Sequence, residues 1–321
     1  MKKLMNSVKM SKFDFINMAT PIIDVIVPIK YSPNGTYTNK YFFTCLIDFV
    51  ESSVHWTKYR GTVDFPIRGK YLNQIHNKYV KNNVYEEINK QLLNIYLKTD
   101  KEIKLKNQIL DSSFVQNKGG SINNNNYLLS ENTKQKNILI REQNKNLPEN
   151  KHTREESFID FNRYNGRKKY TKISSISDSL GTPLTSSIIS SKQSDRISLI
   201  ETLNKMPINL NTLRNSKVNR YKQFMLADSG YSSKKNKTYL KNLGYTPLIL
   251  WNKGNTKDKK IIAENTFSVK EKKIYKKRIK IEHFFSWIKN YPVININYQK
   301  TITSYNGLLL LASSILISKR I

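Results

Sequence analysis

The spacing of apolar positions changes several times along the chain, and each change marks an element. "TNKYFFTCLIDFVE" and "RGKYLNQIHNKYVKNNVYEEINKQLLNIYLK" carry apolar residues at helical spacing. In the second stretch Leu72, Ile75 and Tyr79 share one face. Val84, Ile88, Leu92 and Ile95 share another, and "KNN" forms a turn between them. Two basic helices joined by a short turn suit either a helix-turn-helix DNA reader or a plain helical packing unit, and the pattern alone does not choose. Past about residue 105 the period shortens toward strands. "NQILDSSFVQNKGG" is β-rich, and "KKYTKISSISD" and "LTSSIISS" alternate around the turn "SLGTP", a hairpin signal. "SDRISLIETLNKM" predicts a helix, and "RYKQFMLADSGYSSKKNKTYLKNLGYTPLIL" predicts strand, turn, helix, strand. Between the first strand and the hairpin, about residues 117–160, the chain is polar and Asn-rich, with too few apolar residues for a core; this predicts a flexible insertion. The organisation expected is a mainly helical region over residues 1–105 and, over 106–321, an α/β unit with a mixed β-sheet flanked by helices.

Charge narrows the function. Lys and Arg total 55 against 24 Asp and Glu, a formal net charge of +31. That excess points to a polyanionic partner, nucleic acid first and an anionic membrane surface second. Codon bias toward Lys, Asn and Ile accounts for part of the excess, but not for the scarcity of acids. The single cysteine, Cys45, excludes a disulfide framework, and His55, His76, His152 and His283 lack zinc-ligand spacing. "MKKLMNSVKMSKFDF" has no apolar signal-peptide core. The most apolar run, "GLLLLASSILI", is about half the roughly 20 residues that span a bilayer, so it predicts a buried helix. The expectation is a soluble intracellular protein without a membrane partner.

Against this basic background three acids stand out. "YKKRIKIEHFFSWIK", from Tyr275 to Lys289, sets one glutamate among cations. On an α-helix, Tyr275, Arg278, Glu282 and Lys289 fall on one stripe about 60° wide. Ile281, Phe284, Phe285 and Ile288 form the buried face, Trp287 points toward another element, and Lys276, Lys280 and His283 point to solvent. An ordinary amphipathic helix with i, i+4 pairs explains the two faces but does not require that stripe. Asp111, in "ILDSS", and Asp228, in "MLADSGY", follow apolar strand residues; Asp228 falls at a strand's C-terminal end, where open α/β sheets place their sites. Either acid alone could simply cap the next helix. Together with Glu282 they form a hard oxygen donor set suited to Mg²⁺ or Mn²⁺. Two such ions could clamp an in-line phosphoryl transfer, and a phosphate-chain substrate accounts for the surrounding cations.

The spacing Tyr275, two residues, Arg278, three residues, Glu282, six residues, Lys289 resembles the acid helix of the DDE transposases of bacterial insertion sequences, groups four and five. "DSS" at Asp111 and "ADSGY" at Asp228 resemble the family's first and second acid boxes. "GRKKYTKISSISDSLGTPL" resembles its Gly-Arg segment and "YQKTITSYNGLLLLASSILI" its closing helix, so the likeness runs from about residue 105 to the end. "WTKYRGTVDFP" resembles, more weakly, the helical DNA-reading part of one branch. The resemblance implies an RNase H-like fold and a DNA transposase that hydrolyses phosphodiesters at element ends and then transfers strands into target DNA. Asp111, Asp228 and Glu282 would be its catalytic residues and the ligands of two Mg²⁺ or Mn²⁺ ions. Arg278 and Lys289 would contact DNA phosphate or orient Glu282, Tyr275 would pack in the fold or stack near the DNA end, and Arg167 and Lys168 would contact DNA. The partners implied are double-stranded element ends and target DNA, with a homodimer acting in the DNA complex. The other readings are a non-catalytic DNA-binding protein, decayed or repurposed, and an RNase H-like nuclease without strand transfer. One departure concerns the segment before the closing helix. The family often has Arg-Tyr-Asp-Lys there; this chain has Asn297, Tyr298, Gln299 and Lys300, one charge of each sign fewer.

Overall fold

The computed structural model describes residues 10–29, 37–98, 100–118, 159–161, 169–189, 193–207, 223–251, 266–299 and 301–321. The N-terminal helices are α1 (Lys12–Ile26), α2 (Asn39–Glu51), α3 (Gly69–Lys81), α4 (Val84–Tyr96) and the short α5 (Lys101–Lys106). Sequence periodicity did not single out α1. It starts at a capping box in which Ser11 and Asp14 satisfy each other's backbone amides, and it buries Phe15, Ile16, Ala19 and Ile23. The turn between α3 and α4 passes through Asn83 at φ 55°, a left-handed conformation that asparagine tolerates better than most residues.

The sheet contains β1 (Asn107–Asn117), β2 (Ile159–Phe161), β3 (Lys169–Ser177), β4 (Pro183–Ile189), β5 (Gln223–Ala227), β6 (Tyr245–Ile249) and β7 (Ile296–Asn297). Its order is β2-β3-β1-β5-β6, with β4 beside β3 and β7 beside β1. β3 runs antiparallel to β1, whereas β5 and β7 run parallel to it and β6 parallel to β5. This is the mixed α/β sheet that the strand patterns predicted. Helices α6 (Asp195–Asn204) and α7 (Lys234–Asn242) connect the strands. The C-terminal part carries α8 (Val269–Tyr275), a 3-10 turn (Lys276–Arg278), α9 (Ile279–Lys289), α10 (Pro292–Asn295) and α11 (Ile302–Ser318). The stretch read as one helix from Tyr275 therefore starts on the last residue of α8, passes through one tighter turn at Lys276–Arg278 and is α-helical again from Ile279. Its buried face is nonetheless Ile281, Phe284, Phe285 and Ile288, as the 3.6 period requires. Each of these burials contributes about 2 kcal/mol to holding α9 on the sheet. Trp287 meets other elements, closing over the β3–β4 turn at Gly181 and lying under the Arg320 guanidinium, 4.6 Å from the ring centre.

α11 joins the helical region to the sheet, touching α1, α2, α3 and α4 on one side and β4 on another. It is the buried helix predicted from "GLLLLASSILI", and among the described residues no helix is long and apolar enough to cross a membrane. The helices approach closely because residue 307 is glycine. A Cβ there would stand 2.5 Å from Val80 Cγ2 and 3.2 Å from His76 Cε1. Gly307→Val is expected to cost about 2 kcal/mol through overpacking, read as a lower urea midpoint of unfolding. His76 is buried beside it, bonded to the Tyr85 hydroxyl at 2.9 Å and to the Ser304 carbonyl at 3.0 Å. Burial pushes its pKa down to about 4, so it packs as a neutral ring.

The uncharged segment before α11 has a packing role. The Gln299 amide oxygen accepts from the Trp56 indole at 3.0 Å and from the Ser304 hydroxyl at 3.1 Å. The Asn297 amide donates to Thr171 Oγ1 at 3.2 Å. Both residues are buried, where neutral amides avoid the desolvation that charges would incur. Lys300 lies outside the described residues.

Candidate metal-dependent active site

The site is organised by the pairing of β1 with β5. Leu110 is in register with Ala227, so Asp111 and Asp228 come next on neighbouring parallel strands. Asp228 follows β5 directly and caps the 3-10 turn Ser229–Tyr231, accepting from the Ser229 amide at 2.7 Å. Asp111 accepts from the Ser112 amide at 2.8 Å. Burial pushes the Asp111 pKa up to about 6. The Ser112 amide and the Arg278 charge pull it back, and the charges of Asp228 and Asp195 push it further up. Desolvation is thus the main reason this carboxylate resists ionising.

α9 and the turn before it lay the basic stripe along these strands. Tyr275 donates to the Ala227 carbonyl at 3.2 Å, at the end of β5. Burial raises its pKa to about 12; the Arg278 charge opposes this, and those of Asp228 and Asp111 reinforce it. Arg278 donates to Asp111 Oδ2 at 3.0 Å and to Glu282 Oε1 at 3.4 Å. Lys289 donates to Ser113 Oγ at 2.7 Å and to the Phe114 carbonyl at 3.1 Å, and burial lowers its pKa. Tyr275, Arg278 and Lys289 therefore bond to β5 or β1, and Glu282 joins them through Arg278. Asp228 and Glu282 are exposed while Asp111 is half-buried, so the acids open to solvent on one side. Arg167 and Lys168 lie outside the described residues.

Among the described residues, no three His, Cys, Asp or Glu side chains converge closely enough to hold an ion. Between Asp111 and Glu282 lies the Arg278 guanidinium, a cation touching both carboxylates. The residues nevertheless fit a hard divalent ion. Every donor is a carboxylate oxygen, and Asp111 lies within electrostatic reach of a second acid. An ion would relieve the same charge crowding that Arg278 now relieves in part.

A second polar cluster, not foreseen from the sequence, adjoins the acids. Asp195 opens α6, and its Oδ1 lies 2.6 Å from Lys172 Nζ and 3.1 Å from Ser112 Oγ. The sequence signal was slight: an acid after a serine at a helix start reads as a favourable charge for the helix dipole, with no hint of a strand lysine as partner.

The family model described as "Transposase DDE domain" matches residues 106–317, from the residue before β1 to the last turn of α11. Neither a curated protein nor a solved structure matches the chain significantly.

Proposed function

The chain belongs to the DDE transposase family, and from that premise we propose that it cuts DNA at the ends of a mobile element and transfers the freed strands into target DNA. One observation carries the reading: Arg278 joins Asp111 to Glu282, from separate elements, beside the strand that leads into Asp228. These three carboxylates are the proposed ligands of Mg²⁺ or Mn²⁺, and two ions held there would activate the attacking oxygen and stabilise the leaving one.

The chain's own residues have complementary roles. Arg278 keeps Asp111 and Glu282 together and offsets their charge. Arg278 and Lys289 flank Glu282 on one helix face and supply cations to a phosphate backbone, with Arg167 and Lys168 as further contacts. Tyr275, bonded to the end of β5, steadies the strand that presents Asp228 and offers a ring edge to DNA. Residues 1–105 form the proposed end-reading region and residues 106–321 the catalytic domain; of the polar insertion expected at about 117–160, Asn117 belongs to β1 and Ile159 and Asp160 to β2, and 119–158 lie outside the described residues. Within the reader α4 is largely buried, whereas α3 exposes Lys70, Tyr71, Gln74, Asn77, Lys78 and Lys81 along one face without an acid. Amide and lysine side chains of this kind contact base edges and phosphates in a groove. Two ends must be held together, so a homodimer is the proposed acting form, working inside the cell wherever its DNA lies.

The test uses duplexes of the inverted repeats flanking the coding region, incubated with the full chain and Mg²⁺. Nicks at the repeat ends followed by joined products are expected. Nicks without joined products would mean a nuclease, and salt-sensitive binding without nicks under any divalent ion would mean a DNA-binding protein only.

A further inference from the structure

We propose that Asp195 is a positioning residue of this site, holding the segments that carry Asp111 and Asp228 in a fixed relation; this rests on the metal-dependent reading above. Three contacts converge on its carboxylate. Oδ1 accepts from Ser112 Oγ at 3.1 Å and from Lys172 Nζ at 2.6 Å. Oδ2 lies against Gly230, where an added Cβ would stand only 3.1 Å away. Ser112 is the residue after Asp111 and gives its amide to that carboxylate at 2.8 Å. Gly230 belongs to the turn capped by Asp228, whose carboxylate takes the Ser229 amide at 2.7 Å. Asp195 thus touches the segment that orients each strand acid. The glycine in "ADSGY" eases this close approach, because a Cβ there would press the Asp195 carboxylate back by a few tenths of an ångström.

The arrangement is costly, which argues against mere packing. The Lys172 side chain is only 5% exposed, and its ammonium also takes the Gln193 carbonyl at 3.2 Å and faces the Phe114 ring. Removing a lysine from water for one ion pair rarely yields net stability. An apolar, well-packed pair would serve the fold as well or better. What such a pair cannot do is accept from Ser112 while bearing on Gly230, and partners of this type, one step removed from a metal ligand, govern ion affinity.

The test measures Mn²⁺ binding to the full chain by electron paramagnetic resonance, with DNA cleavage recorded separately. Asp195→Ala combined with Lys172→Met removes both charges, so no buried lysine is left unpaired. This double variant is expected to unfold at the urea midpoint of the unaltered protein and to bind Mn²⁺ about tenfold more weakly. Asp195→Asn keeps an acceptor for Ser112 and is expected to retain most of the affinity; it decides the matter if the double variant does not fold. Unchanged Mn²⁺ affinity in the folded double variant, or a loss in Asp195→Asn as large as in Asp111→Asn, overturns the proposal. So does an unaltered protein that binds no Mn²⁺. A protein that binds Mn²⁺ through Asp111 yet cuts no DNA defeats the transposase reading alone, and the Mn²⁺ comparison still decides the role of Asp195.

Discussion

Asp228→Asn is expected to lower strand cleavage about a thousandfold or more while leaving DNA affinity unchanged or slightly raised. Asp228 is exposed at the end of β5, and its carboxylate accepts the Ser229 amide. An asparagine oxygen can accept the same bond, so the cap and the turn survive the exchange. What is lost is a negative charge beside Asp111. If that charge holds an ion that stabilises the transferring phosphoryl group, its removal forfeits several kcal/mol of transition-state stabilisation, and about 4 kcal/mol is a thousandfold. Removing an acid also lessens repulsion toward phosphate, hence the sign of the binding change. Glu282→Gln is expected to behave alike, since its amide oxygen can keep the contact with Arg278. Nicking rates and duplex binding measured on the same preparations check both effects. Equal cleavage by Asp228→Asn and the unaltered protein would falsify the metal assignment.

Much of this site was legible because its signals are local. The 3.6 period selected the four residues of α9 that are buried, and apolar runs ending on an acid marked β1 and β5. What escaped depends on partners distant in the chain. Asp195 and Lys172 are 23 residues apart, and Trp56 and Gln299 are 243 apart. No periodicity encodes either pair. The neutral Gln299 looked from the sequence like a lost charge; its role became clear only with the indole that donates to it. The 3-10 turn at Lys276–Arg278 was hidden for a different reason, because its residues suit an α-helix equally well. It matters at the site, because Arg278 comes from this turn and reaches both acids, while Tyr275 just before it reaches the end of β5.

Asp111→Asn is expected to stabilise the metal-free protein by about 3 kcal/mol at pH 8 and by little at pH 4. The folded-state pKa of Asp111 is raised from 3.8 to about 6, chiefly by burial. The folded chain therefore binds this proton more tightly than the unfolded chain does. The resulting stabilisation is present below pH 3.8 and is lost as pH rises through 6; complete loss amounts to about 3 kcal/mol. Asparagine is neutral throughout and escapes that loss; the opposing charge of Arg278 is already counted in the raised pKa. His76 acts with the opposite sign. Its pKa falls from 6.5 to about 4, so its contribution is present above 6.5 and is lost as pH falls through 4. Both proteins share His76, so it cancels in the difference between their urea unfolding curves, and the difference isolates Asp111. Added Mg²⁺ should narrow the gap at pH 8, because an ion bound through Asp111 stabilises only the unaltered protein. A gap that is the same at pH 4 and pH 8 would mean that burial does not hold this carboxylate in reserve for a cation.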